Sequence, residues 1–253
     1  MGAPKTPYTP YAEQHKDIKG PDDDRPSAHK VAKDANANLK GKTVLITGCS
    51  SGIGVETART LYETGATLFL QARDIPKLEK VINDIVDNAQ INKDGPRPQP
   101  IEIHLDSLDS VRKGAEDFKK KSGNKLNLLI ENAGVMAAPF GTTKDGLETQ
   151  IGVNHFAHFL LFALLKDALI EGAKSSGTLS RVVTVSSYGH VFGVTTQANI
   201  TTKEALDKWN KGEGYDKWAA YGQAKVRIFS ETRSRLDAIA PRPRSCESSR
   251  MYI

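Results

Sequence analysis

With 253 residues, 38% hydrophobic and 26% charged, the chain has the balance of a soluble protein and enough length for one sizeable core. Its net charge of +5 gathers near the ends, as lysines in the first forty residues and four arginines between Arg233 and Arg244. No basic stripe is interleaved with aromatics, so a nucleic-acid partner is not expected.

Residues 1–38 carry Pro4, Pro7, Pro10, Pro21 and Pro26 and the acidic run Asp22, Asp23, Asp24, with poor apolar periodicity. They read as a flexible extension with a short helix before the domain. Thr43 to Thr47 is a short β-rich apolar run, hence a buried strand, and a glycine turn leads from it into a helix over Gly54 to Gly65. Thr67 to Gln71 reads as a second strand, and Pro76 to Ala89 as a helix with Leu78, Val81, Ile82 and Ile85 on one face. The polar stretch Asn92 to Pro100 reads as loop, Ile101 to Leu105 as a third strand, and Leu108 to Lys120 as helix. Leu126 to Ile130 is a fourth strand, Leu147 to Leu169 a long apolar helix, and Arg181 to Ser186 a fifth strand. Strands alternating with helices predict right-handed βαβ units and a Rossmann-type, doubly wound parallel sheet in an α/β fold. One domain over 39–240 is expected, with a disordered tail over 241–253.

Two cysteines, Cys49 and Cys246, exclude a disulfide framework, and a reducing, cytoplasmic compartment fits. The six histidines lack metal-ligand spacing; His155 and His158 stand three apart with nothing near to complete a site, so no metal is expected. The N-terminus has no apolar signal-peptide core, and the apolar run near Phe156 to Leu165 is too short to span a bilayer.

The first strand runs into Gly48-Cys49-Ser50-Ser51-Gly52-Ile53-Gly54. Glycines here let backbone approach a pyrophosphate, and the following helix offers unpaired N–H groups and the positive end of its dipole. The spacing is Gly-x-x-x-Gly-x-Gly; on its own it is a glycine-rich turn, but it opens a helix inside the first βα unit. Nineteen residues after Gly54, past the second strand, stands Arg73. An acidic residue there would bind a ribose 2′-hydroxyl, whereas an arginine meets a 2′-phosphate, so NADP(H) is expected ahead of NAD(H). The alternative for Arg73 is a surface charge; Asp74 is expected to point elsewhere, and Lys77 to add a second positive contact.

Tyr221 and Lys225, four apart, share one face of a helix. A nearby ammonium stabilises phenolate, and such a tyrosine can deliver a proton to a carbonyl oxygen as hydride reaches carbon. Ser186 and Ser187 stand at the end of the fifth strand, where ligand crevices of open α/β sheets lie. A hydroxyl there can hold the substrate oxygen. A Tyr-Lys pair or two serines alone would carry little; their conjunction with the glycine turn carries the argument.

With these residues in hand, the sequence resembles the short-chain dehydrogenase/reductase family, leaning towards its retinol-dehydrogenase-like and WW-domain-oxidoreductase-like members. The resemblance covers roughly Gly41 to Lys225: Thr47-Gly48-x-x-x-Gly52-x-Gly54, Asp106, Asn132-Ala133-Gly134, Asn154, Ser187 and Tyr221-x-x-x-Lys225. It implies that Asp106 contacts the adenine ring and that Asn132-Ala133-Gly134 steadies the sheet and lines the cofactor ribose. By the same resemblance Asn154 holds a water on the proton path and Ser187 positions the substrate oxygen, with Ser186 as fallback. Tyr221 is then the acid/base, and Lys225 binds the nicotinamide ribose and tunes Tyr221. Plainer readings stay open: Asp106 as a helix N-cap, Asn132 as a turn residue, and Asn154 as the partner of a buried backbone group. The implied partner is a small-molecule carbonyl or alcohol substrate, such as a retinoid, steroid, polyketide or xenobiotic carbonyl. Self-association is left open, since the helices that pair subunits in the family flank Asn154 and Tyr221.

Two departures stand out. Ser187 and Tyr221 are thirty-four positions apart, and Gly189 to Ala220 forms an insertion with Trp209, Lys211, Glu213 and Trp218. It reads as a loop with a short helix, either shaping the substrate mouth or making a surface excursion. After a helix expected over Val226 to Ala240, no sixth or seventh strand is legible, so the sheet is expected to lack its last two strands and the chain to be a truncated product. The leading reading is a carbonyl reductase or alcohol dehydrogenase; the alternative is a truncated, inactive or non-catalytic dinucleotide-binding protein.

Overall fold

A computed structural model describes residues 10–20, 23–191 and 202–227 of the chain. Most expected elements form where the apolar pattern places them: β1 (Thr43–Thr47), α2 (Ile53–Glu63), β2 (Thr67–Ala72), α3 (Ile75–Asp87) and α4 (Leu108–Ser122). Upstream, a 3₁₀ turn (Glu13–His15) and α1 (Ala28–Asp34) occupy the extension. Beyond lie β4 (Leu128–Glu131), α5 (Thr149–Ile151), a π-helical turn (Gly152–Phe156), α6 (Ala157–Ser176), β5 (Arg181–Thr184) and α7 (Lys203–Asn210). A further helix, α8, runs over 217–227.

Several boundaries differ from the sequence pattern. The third strand, β3, is Gln99–Glu102 rather than Ile101 to Leu105. It pairs only with β2 among the described strands, so Pro100, which has no N–H to give, is tolerated. Its ladder stops at Glu102 because β2 ends at the paired Ala72, whose carbonyl takes the Ile103 N–H. The fourth strand starts at Leu128, since the Leu126 N–H bonds the Ala168 carbonyl of α6 instead of a neighbouring strand. The fifth ends at Thr184, short of the serines. The long apolar helix is broken by the π turn, which residue types do not announce.

All strand pairs are parallel, in the order β3-β2-β1-β4-β5, with Val44 opposite both Leu68 and Leu128. Alternation along β1 splits the core in two. Leu45 joins Phe69, Phe118, Leu161 and Leu165 under α4 and α6, while Val44 and Ile46 join Leu78, Ile82 and Ile85 of α3 and Tyr62 of α2. Phe69 and Phe118 meet edge to face at 5.0 Å, a geometry that adds about 0.5–1.5 kcal/mol to their burial. Strand order reverses between β1 and β4, so the loops after these two strands diverge and leave a crevice at their C-terminal ends.

The described part of the insertion is no loose excursion. Trp209 of α7, with Leu206 and Tyr215, packs on Ile151, Ala220 and Ala224 as a third small core. The helix expected beyond residue 227, the tail over 241–253, stretch 192–201 of the insertion, residues 1–9, and any sixth or seventh strand lie outside the described residues. Among the described residues no helix is long and apolar enough to cross a membrane, and no group of three or more His, Cys, Asp or Glu could hold a metal ion.

Candidate active site

The glycine turn is built by close approach. A Cβ on Gly54 would lie 2.2 Å from the Gly48 carbonyl oxygen, and one on Gly48, at φ +76°, would lie 2.8 Å from Ala133 Cα. Only glycine fits either place, and the turn after β1 is thereby pressed onto the loop after β4. Gly48 and Cys49 donate their N–H groups back to the carbonyl of Gln71, a buried residue of β2. Helices α1, α3, α4, α5 and α7 all begin on a side chain that accepts a backbone N–H: Ser27, Asp74, Ser107, Glu148 and Thr202. Helix α2 begins on Gly52, which has no side chain to do so and open space where a Cβ would stand. The first N–H groups of α2 are thus left for an outside acceptor, as a bound phosphate requires. Ser50 is half-buried beside them, and Ser51, Gly52 and Ile53 are exposed.

Thr47, the last residue of β1, ties this turn to the rest; sequence reasoning assigns it no role beyond opening the motif. Its hydroxyl, fully buried, accepts from the backbone N–H of Asn132 (2.9 Å) and of Ala133 (3.0 Å). Both lone pairs being taken, its proton goes to His158 Nε2 at 2.9 Å. That leaves His158 Nδ1–H to donate to the Asn154 carbonyl at 3.1 Å. His158, read from sequence as incidental or structural, is a brace. The Asn132 amide donates to the Thr47 carbonyl at 2.9 Å.

Asn154 sits in the π turn, fully buried, with Oδ1 accepting from Val135 N–H (2.8 Å) and Nδ2 donating to Val135 O (2.9 Å). Its side chain therefore satisfies both backbone groups of half-buried Val135 and in doing so fixes the chain just past Gly134. The position a Gly134 Cβ would take is 3.1 Å from Asn154 Oδ1 and 3.8 Å from Lys225 Nζ, so the two side chains flank that glycine.

Lys225 on α8 is buried, and its ammonium donates to the Val185 carbonyl at 2.7 Å. Burial lowers its pKa to about 8. The same ammonium lies 5.8 Å from the Tyr221 ring centroid. Tyr221 in turn packs against Gly189, where a Cβ would be 2.8 Å from the ring and 3.4 Å from Ser187 Oγ. Phenol ring and serine hydroxyl thus border one small space, although thirty-three residues of chain separate them. The two serines differ: Ser186 Oγ donates to the Lys225 carbonyl at 3.3 Å, while Ser187 Oγ accepts from Gly189 N–H at 3.1 Å and borders the tyrosine.

The remaining candidates stand on the rim. Arg73 follows the last residue of β2 and is exposed, as is Lys77. Asp74 turns away to cap α3 through Lys77 N–H at 2.9 Å. Asp106 is exposed; the N-cap of α4 is Ser107, which removes the capping role weighed for Asp106. Cys49 is buried under the turn with its thiol on the Ile46 carbonyl, and burial raises its pKa.

A parallel sheet with a glycine turn at its reversal point and a Ser-Tyr-Lys cluster beside it defines a class of dinucleotide-dependent oxidoreductases. The short chain dehydrogenase family pattern matches residues 42–231, and the chain belongs to that family. It is 41% identical over 212 residues to the oxidoreductase calI of Penicillium decumbens, covering 82% of this chain and 58% of that protein. It is 42% identical over 160 residues to mouse retinol dehydrogenase 12, covering 62% of this chain and 47% of that one. A solved protein from Mycobacterium Paratuberculosis superposes with a TM-score of 0.61 at 34% identity, covering 81% of this chain and 66% of that one. The chain spans about half the length of the curated relatives it matches, 58% of calI and 47% of retinol dehydrogenase 12.

Proposed function

We propose that this chain carries the catalytic centre of an NADP(H)-dependent reductase or dehydrogenase acting on a small-molecule carbonyl or alcohol. One observation carries the reading: Ser187, Tyr221 and Lys225 converge beside a glycine turn whose helix is left uncapped. When bound, a nicotinamide coenzyme would supply or remove the hydride. The backbone from Gly48 to Gly54, with Ser50, Ser51 and Ile53, would hold its diphosphate, and Arg73 with Lys77 a 2′-phosphate. Asp106 would meet the adenine; Asn132, Ala133 and Gly134 would line a ribose, with Lys225 at the other.

Tyr221 would exchange a proton with the substrate oxygen, and Ser187 would hold that oxygen in place. Lys225 would stand beside the phenol, its ammonium 5.8 Å from the Tyr221 ring centroid. Asn154 would act at one remove, by fixing Val135 and hence Gly134. Kinship with retinol dehydrogenase 12 and the oxidoreductase calI supports the oxidoreductase reading without naming a substrate. We place the protein in the cytoplasm, where a nicotinamide coenzyme and a free buried Cys49 are both at home.

Replacing Tyr221 by Phe tests the proposal. NADPH should still bind, while its oxidation with a carbonyl substrate should fall by about 10²–10⁴, the range a positioned acid/base supplies. Unchanged turnover would take the acid/base role away from Tyr221, and a wild-type chain that binds NADPH and reduces nothing would leave a binding protein. Arg73→Glu should weaken NADPH by about tenfold or more relative to NADH, one charge-assisted contact being lost.

A further inference from the structure

We infer that Tyr215 is a specificity-determining positioning residue: it clamps the 136–140 loop and so sets which substrates the mouth of the site admits. This rests on the reductase reading above. Tyr215 lies between α7 and α8, in the insertion, and is bonded into two separate segments, the 136–140 loop and the start of α5. Its hydroxyl is 2.8 Å from the Ala138 carbonyl and 3.2 Å from Glu148 Oε1, and it accepts from Gln150 Nε2 at 2.9 Å. Glu148 is fully buried, and its carboxylate already receives the N–H groups of Gln150 and Ile151 at the start of α5. With one proton and the shorter distance to Ala138, the hydroxyl serves the loop.

The ring adds a second hold. Phe140 meets Tyr215 edge to face at 5.3 Å, and Gly212, at φ +75°, comes so close to Phe140 that a Cβ would be 2.8 Å from its ring. The loop is therefore pinned at one end by Asn154 on Val135 and at the other by Tyr215 on Ala138 and Phe140. Between the pins, Ala137 takes φ +50°, a backbone state an alanine holds only under constraint.

What the clamp presents is apolar. Met136 is 62% exposed and Phe140 44%. Next to the catalytic candidates, Tyr188 follows Ser187 at 75% exposed, and Trp218 precedes Tyr221 by one helical turn at 54%. Exposed apolar and aromatic side chains thus stand on the chain segments that carry Gly134, Ser187 and Tyr221, which suits a bulky apolar substrate. A loop held in place keeps that surface formed; a loose one does not.

The test is Tyr215→Phe in the full chain, which deletes the hydroxyl and keeps the ring. Amide hydrogen exchange over 136–140 should accelerate about tenfold, the worth of one hydrogen bond. Catalytic efficiency (kcat/KM) for decanal should fall about tenfold relative to that for propanal, mainly through KM, with NADPH affinity within about twofold of wild type. Phe140→Leu, which removes the ring that is held, should shift the same ratio in the same direction. Unchanged exchange over 136–140 overturns the clamp. Faster exchange with an unchanged decanal-to-propanal ratio overturns its role in specificity. Wild-type chain inactive on both aldehydes defeats the reductase reading first and the specificity role with it, while exchange still decides the clamp.

Discussion

Removing one hydroxyl should cost this fold more than removing a methyl from the same residue. Thr47→Val keeps the shape of a fully buried side chain and deletes the oxygen that receives Asn132 N–H and Ala133 N–H and donates to His158 Nε2. Each polar group left buried without a partner costs about 1–3 kcal/mol. The two amides belong to half-buried residues and His158 is buried, so the loss should come to about 2–5 kcal/mol, toward the low end for the amides. At about 2–4 °C per kcal/mol for a domain of this size, the melting temperature should drop by about 4–20 °C. Thr47→Ser keeps the oxygen and loses a buried methyl, at about 0.5–1.5 kcal/mol. Urea unfolding of cofactor-free protein, followed by circular dichroism, measures both variants against wild type. If Thr47→Val proves no less stable than Thr47→Ser, the hydroxyl does not join the two loops, and the account of how the crevice is built fails.

Two further expectations follow from the site. Lys225 is a lysine whose folded pKa, about 8, lies below its ordinary 10.5. Between those values the unfolded chain holds a proton that the folded chain has released, so stability contributed by this residue rises with pH from about 8 to about 10.5. Relative to Lys225→Met, cofactor-free wild type should gain about 3 kcal/mol across that interval, read from urea unfolding at each pH; a pH-independent difference would show that the ammonium is not desolvated. Gly189→Ala would put a methyl 2.8 Å from the Tyr221 ring and should displace it, lowering turnover by about tenfold or more with NADPH affinity retained. Wild-type turnover in that variant would mean that the phenol does not depend on this close contact.

From Thr43 to Thr184 the apolar pattern placed most described helices and strands, because apolar residues at period two or 3.6 leave few ways to bury a face. Boundaries failed where the backbone found an outside partner, as Leu126 does on the Ala168 carbonyl of α6, and at β3, whose proline reads as loop until one sees that the strand pairs on one side only among the described strands. The π turn that carries Asn154 escaped because its residues are those of an ordinary apolar helix. Residues with conspicuous chemistry at fixed spacing, the glycine turn and Tyr221-x-x-x-Lys225, were legible for what they are.

Residues whose importance lies in what they touch were not. Thr47 looks like the end of a strand, Gln71 like a stray polar residue, His158 like an interruption in an apolar run, and Tyr215 like part of a polar insertion. Each acts through partners 23 to 111 positions away in the chain, as with Gln71 on Gly48 and Thr47 on His158. The amino-acid sequence by itself determined a parallel α/β sheet, the place of its glycine turn and the inventory of reactive groups, all of which are local patterns of shape and polarity. Only the tertiary structure decided that Ser187 and Tyr221 border one space, that the Asn154 amide serves Val135, and that the insertion braces a loop. Those are matters of distance between remote segments, and no local pattern encodes distance.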